Sequence, residues 1–138
     1  MIQRIQSVWL FLAAAFDALT FRLPFYSGDW NDDTVTDMVD LNAQTTIWFT
    51  ILSVLAGALG LATIFLFRNR KLQLKLIYLG IFVSIVLLTL YFLETRDFSS
   101  GNFALWAIFY FAILISFFLA ARGVRSDEKL VRSMDRLR

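Results

Sequence analysis

The 138-residue chain contains no cysteine and no histidine. The first absence removes disulfides, thiolate nucleophiles and sulfur-ligated metals. The second removes the commonest general base and the commonest transition-metal ligand. Most hydrolytic, redox and zinc chemistry is thereby disfavoured. The sequence also lacks a Gly-rich phosphate loop, a Ser or Cys nucleophile elbow and paired carboxylates within an apolar segment. GALGLA, from Gly57, has no Lys-Ser or Lys-Thr after it and reads as helix packing. The expectation is a non-enzyme with no catalytic residue and no cofactor; nor is nucleic acid an expected partner. Charge is scarce as well, at 17% Asp, Glu, Lys and Arg, against about 25% in soluble domains.

What the chain has is apolar surface: 59% of its residues are hydrophobic and 17% aromatic. A membrane-spanning helix needs about 20 mostly apolar residues. Four stretches reach that length, at 5–25, 45–67, 76–93 and 103–121. Strands are a poor alternative for these spans, because they do not alternate and a barrel needs more strands than the chain can supply. The first stretch has some features of a secretory signal, with Arg4 before it and LAAA within it, but it continues apolar through LTFRLPF, which favours an uncleaved helix. The expected fold is an all-α membrane protein. Residues 1–121 form a four-transmembrane-helix antiparallel bundle, and 122–138 form a short amphipathic helix on the cytoplasmic side.

Orientation follows from the basic residues. Eleven of the 13 Lys and Arg residues fall in the N-terminus, the RNRKLQLK loop and the C-terminal tail, leaving Arg22 and Arg96 on the other side. The positive-inside rule then puts both termini in the cytoplasm, as expected of a bacterial inner-membrane protein. Interfacial aromatic residues fit this arrangement, with Trp9 and Tyr78 near cytoplasmic ends and Tyr26, Trp30, Trp48, Tyr91 and Trp106 near outer ends. Helix association in lipid relies on small residues. Ser53, Ala56, Gly57 and Gly60, Gly80 and Ser84, and Ala112, Ser116 and Ala120 supply packing faces. The second span, with the widest such patch, is the candidate contact for a homo-oligomer.

Three features are candidate sites. Asp17 is the only acid well inside a span; a carboxylate there costs a few kcal/mol and marks a proton or cation pathway unless it is hydrated near the outer interface. Its available partners are hydroxyls such as Ser53, Thr63, Ser84, Thr89 and Ser116. The loop DWNDDTVTDMVD puts Asp29, Asn31, Asp33, Asp37 and Asp40 at calcium-loop spacing. However, it has Thr34 where the sharp turn needs Gly and Asp40 where the bidentate Glu belongs, so a solvated acidic loop is the simpler reading.

The tail is the third. Gly123 offers a break, Ser126 or Asp127 a cap for a new helix, and Glu128 a partner for Arg132. Leu130, Val131, Met134 and Leu137 form a narrow apolar stripe. With Lys129, Asp135 and Arg136 interleaved, it suits a protein partner better than lipid adhesion alone.

The opening MIQRIQS and the closing DEKLVRSMDRLR, around four apolar spans, resemble a bacterial family of short four-helix inner-membrane proteins classed as a domain of unknown function. The resemblance implies a four-helix membrane protein and supplies no substrate, cofactor or catalytic residue. The functional expectation is therefore an accessory protein held in membrane lipid, presenting Gln3 to Ser7 and Asp127 to Arg138 to a partner. The alternative is a small transporter or channel that uses Asp17.

Overall fold

The computed structural model describes residues 2–30 and 38–138, with side chains from residue 5 onward. Four helices dominate: α1 (Ile2–Thr20), α2 (Ile47–Phe65), α3 (Arg70–Glu94) and α4 (Ala107–Arg136). α1 stops four residues before Pro24, in keeping with the extended geometry that proline imposes on its predecessor. α3 starts at an Asn69 cap, whose side chain accepts a hydrogen bond from the Leu72 amide at 3.3 Å.

Each helix packs on its two chain neighbours around a closed ring, since α1 also meets α4, and that contact is the most extensive of all. Hydrogen bonds between helix ends fix the directions. Gln6 near the start of α1 donates to Asp127 near the end of α4 at 2.7 Å, while the Tyr110 hydroxyl near the start of α4 donates to the Leu23 carbonyl just past α1 at 2.8 Å. Gln73 of α3 likewise reaches the Thr63 carbonyl of α2 at 3.3 Å. Neighbours therefore run antiparallel, as short connections require.

Large apolar side chains such as Phe11, Val54, Phe82, Ile108 and Phe118 point outward, each more than half exposed. Ser53, Ala56, Gly60, Gly80, Ser84, Ser116 and Ala120 are buried between helices. This inversion of the soluble pattern is what a bilayer selects, because lipid tails accept Leu and Phe while backbones meet at small residues. A Cβ on Gly80 would stand 2.6 Å from the Phe117 ring, so α3 and α4 need that glycine at their crossing. The protein is an integral membrane helical bundle. α2, α3 with the turn after it, and α4 are long and apolar enough to cross a bilayer; the apolar part of α1, Ile5–Thr20, is shorter.

Two features depart from the sequence reading. The first is a sheet at the end of the bundle where α1 and α3 finish: β1 (Tyr26–Trp30) lies between β2 (Met38–Leu41) and β3 (Phe98–Phe103), antiparallel to both. A single turn of 3-10 helix, Thr95–Asp97, leads α3 into β3, so the fourth helix starts at Ala107 rather than at 103. Cross-strand pairing divides the sheet into two faces. Tyr26, Val39, Leu41 and Phe103 share one face; Ser27, Asp29, Asp40 and Asn102 share the other. Phe25 at the base of β1 has no exposed surface and meets the rings of Tyr91, Tyr110, Phe92 and Phe103 at 5.1 to 5.7 Å, sealing this end with aromatic side chains.

The second departure is α4, which runs unbroken from Ala107 to Arg136. The break expected at Gly123 and the cap expected at Ser126 or Asp127 are absent. The reason is packing: a Cβ on Gly123 would come within 2.8 Å of Gln6 Cγ, so the glycine admits the α1 side chain that holds Asp127. Asp127 serves as a buried acceptor, not as a helix cap.

Candidate functional site

Asp17 occupies the inward face of α1, one turn before its end, and is 4% exposed. α1 reaches this depth as a regular helix, and Thr20 finishes it by donating its hydroxyl to the Asp17 carbonyl at 2.6 Å. The carboxyl lies against α2, where Ser53 and Gly57 stand beside it. A Cβ on Gly57 would be 2.6 Å from Asp17 Oδ2, so α2 approaches the carboxyl closely only because that residue has no side chain.

α3 and α4 complete the group with Tyr91 and Tyr110. Their rings meet edge-on at 4.8 Å, and Tyr91 also stacks on Phe49 of α2 at 4.4 Å. The Tyr91 hydroxyl is surrounded by Tyr110, Ser53 and Asp17. Tyr110 donates to the carbonyls of Thr20 and Leu23, tying the end of α1 to the start of α4. All four helices thus bring a polar side chain to one place beneath the aromatic seal.

Among the described residues, three buried side-chain oxygens or hydroxyls have no hydrogen-bond partner: Asp17 Oδ1, Ser53 Oγ and Tyr91 Oη. All three belong to this group. Buried polar atoms are nearly always paired, and an unpaired one costs about 1–3 kcal/mol. All three stand close enough together for a single proton or water to serve more than one of them. A carboxyl, two hydroxyls and the Tyr110 oxygen are hard oxygen donors. They suit a proton or an alkali cation and offer nothing to a soft metal.

Of the hydroxyls expected to face Asp17, the structure brings Ser53. Thr63 and Ser84 bond carbonyls on their own helices, and Thr89 is exposed on the bundle's exterior; Ser116 is buried on α4. Tyr91, expected in the interfacial belt, is wholly buried instead. Tyr91 and Tyr110 were not anticipated as partners, although a signal existed. Gly80, Ser84, Leu87 and Tyr91 recur on one helical face, as do Tyr110, Ile113, Phe117 and Ala120, which makes both tyrosines inward-facing.

The family model described as Domain of unknown function (DUF4293) matches residues 2–137. The chain belongs to the DUF4293 family. No curated protein and no solved structure matches it.

In this DUF4293 protein the remaining candidate residues are dispersed. Ser53 and Gly60 face α1, where a Cβ on Gly60 would lie 3.3 Å from the Leu10 carbonyl oxygen, while Ala56 packs with Leu59 and with Val83 of α3. Ala112 is half-buried on α4, two turns before Ala120. Asp29 and Asp40 stand in paired strands, not at the two ends of a loop between helices. Asp29 accepts from the Ser100 hydroxyl at 3.0 Å and Asp40 from the Ser27 hydroxyl at 2.6 Å. Asn31, Asp33 and Asp37 lie outside the described residues, as do the side chains of Gln3 and Arg4. Among the described residues no cluster of three acids is placed to hold a metal ion.

At the opposite end, Gln6, Gln73, Thr63 and Asp127 form a second buried polar group beside an open cavity of about 420 Å³ lined by all four helices. Beyond it α4 continues as an arm. Residues 129–138 are exposed, including Leu130, Met134 and Leu137, and Glu128 pairs with Arg132 at 2.8 Å. Lys129, Asp135 and Arg136 complete the arm's charged surface.

Proposed function

We propose that this DUF4293 protein is a four-span bacterial inner-membrane protein, with both termini cytoplasmic, whose bundle takes up a proton at Asp17. The fourth span in this reading is α1. Its 19 residues make about 28 Å of helix, close to the ~30 Å of hydrocarbon, and it packs along α4, which is long enough to cross. The distribution of Lys and Arg supports the orientation.

The observation that carries the proton reading is the convergence of Asp17, Ser53 and Tyr91, all buried, with one another, Tyr110 and the Gly57 backbone as their polar neighbours. Protonated Asp17 becomes a donor to either neighbour, and Tyr91 and Ser53 can each donate to the carboxylate, so the group has a satisfied arrangement in both protonation states. A purely structural core has no need of a buried carboxyl and two hydroxyls where Ala and Phe would pack. Phe25 and its aromatic neighbours, Tyr91 and Tyr110 among them, cover the group on the sheet side.

The test is reconstitution in liposomes under a pH gradient. Proton movement above that of empty liposomes, lost in Asp17→Asn and reduced in Tyr91→Phe, is the expected result. Equal behaviour of the wild type and Asp17→Asn would remove the reading.

A second reading concerns the arm, and α4's unbroken course favours it. Eight exposed residues, 129–136, continue a membrane helix, with apolar side chains at 130, 134 and, just past its end, 137. Such a stripe leaves the membrane along the helix instead of lying flat on it, so it suits a cytoplasmic protein better than lipid. A photo-crosslinker at Met134 should yield a protein adduct in cells that Leu130→Ser with Leu137→Ser abolishes. Crosslinking to lipid alone would count against the docking role.

A further inference from the structure

At the basic end of the bundle, α3 and α4 leave a groove of about 350 Å³ between them, lined by Tyr78, Ile81, Phe118, Ala121, Arg122 and Arg125. Its floor is apolar and continuous with the outward-facing flank of the bundle, where Phe118 is 62% exposed. Its mouth is cationic, and no acidic side chain lines it. Arg125 is held there by the Tyr78 ring, its guanidinium carbon 5.1 Å from the ring centroid. A cation–π contact holds the guanidinium beside the ring without using up its N–H donors, which can still bind a phosphate.

From this we propose that the α3–α4 groove is a binding site for an anionic phospholipid. One acyl chain lies along Ile81 and Phe118, and the phosphate sits between the Arg122 and Arg125 guanidiniums, with the Tyr78 hydroxyl at its edge. The assignment rests on charge and depth together. Arg122 directly follows the last apolar residue of the span, Ala121, so the two guanidiniums stand at headgroup level while the floor reaches into the acyl region. Free inorganic phosphate lacks the chain that fills the floor, and a zwitterionic lipid offsets the phosphate with its own ammonium. The other arginines and lysines of the arm, by contrast, have no apolar floor beneath them. The inference is independent of Asp17.

Native mass spectrometry of the full-length protein, titrated with phosphatidylglycerol or phosphatidylcholine in detergent, tests it. The wild type should retain phosphatidylglycerol at least tenfold more tightly than phosphatidylcholine. Arg122→Gln with Arg125→Gln should cut that preference at least fivefold, while Lys129→Gln with Arg132→Gln, which removes the same charge from the arm, should leave it intact. Millimolar inorganic phosphate should not displace the lipid. The proposal is overturned by equal retention of the two lipids, by equal loss in the groove and arm variants, or by displacement with phosphate alone. Thermal melting of each variant in the same detergent, expected to be unchanged because all four side chains are exposed, separates a lost site from a lost fold.

Discussion

The cost of Asp17 is visible in its neighbours: Gly57 withdraws to make room for the carboxyl, and Ser53 and Tyr91 bring hydroxyls that the rest of the core leaves unpaired. If those hydroxyls served stability, removing them would harm the fold. Removing one hydroxyl of the group leaves Asp17 the other, so the cost stays near the ~1 kcal/mol of a single hydrogen bond. Tyr91→Phe and Ser53→Ala should therefore melt in detergent close to the wild-type temperature while impairing proton movement; a large fall in melting temperature would mark the cluster as structural. Gln6 offers the opposite case. Its amide is the hydrogen-bond donor to a buried Asp127 oxygen, so Gln6→Leu strands that oxygen at a cost of about 1–3 kcal/mol. A clear drop in melting temperature is expected, and none is expected for an exposed change such as Ser133→Ala.

At the scale of elements, glycines let the sheet close and let α4 seat against its neighbours. Gly28 sits where β1 crosses β3, and a Cβ there would collide with the Ser100 carbonyl oxygen. Gly28→Val should open the sheet, so that amide exchange rises across 26–29 and 98–103 while the helices stay protected. Gly123 plays the corresponding part for α4. Gly123→Leu drives Gln6 off Asp127 and should destabilise the bundle by about 1–3 kcal/mol, as overpacking does, without shortening the helix. Both elements were hard to read in sequence, for different reasons. YSGDW and FSSGNF show no clear two-residue alternation, Phe98 and Phe103 standing five apart, and they lie beside spans whose apolar signal swamps them. Gly123 looks like a helix end because glycine usually is one; only the approach of α1 keeps it helical.

For the whole molecule, topology is the testable consequence. The native absence of cysteine gives a clean background for introduced thiols. Asn102→Cys on the sheet and Ser133→Cys on the arm are both at exposed positions. In intact cells with a permeable outer envelope, an impermeant maleimide should label the first and reach the second only after the inner membrane is opened. Labelling of both from one side would refute the orientation and the count of four spans together.

The membrane character, the four apolar helices and their antiparallel order lie in the sequence itself, because apolar length and short connections are local properties that a bilayer reads directly; the separate tail helix does not, since α4 runs on through Gly123. Asp17 stood out for the same reason: a lone charge in an apolar run needs no partner to be conspicuous. What gathers around it was decided only in three dimensions. Tyr91 and Tyr110 are distant in sequence from Asp17 and from each other, and an inward tyrosine has the same composition as an interfacial one. Which of the two it becomes depends on the rotation of each helix about its axis. That rotation goes with the side chains that the helical glycines admit, Asp17 at Gly57, Phe117 at Gly80 and Gln6 at Gly123.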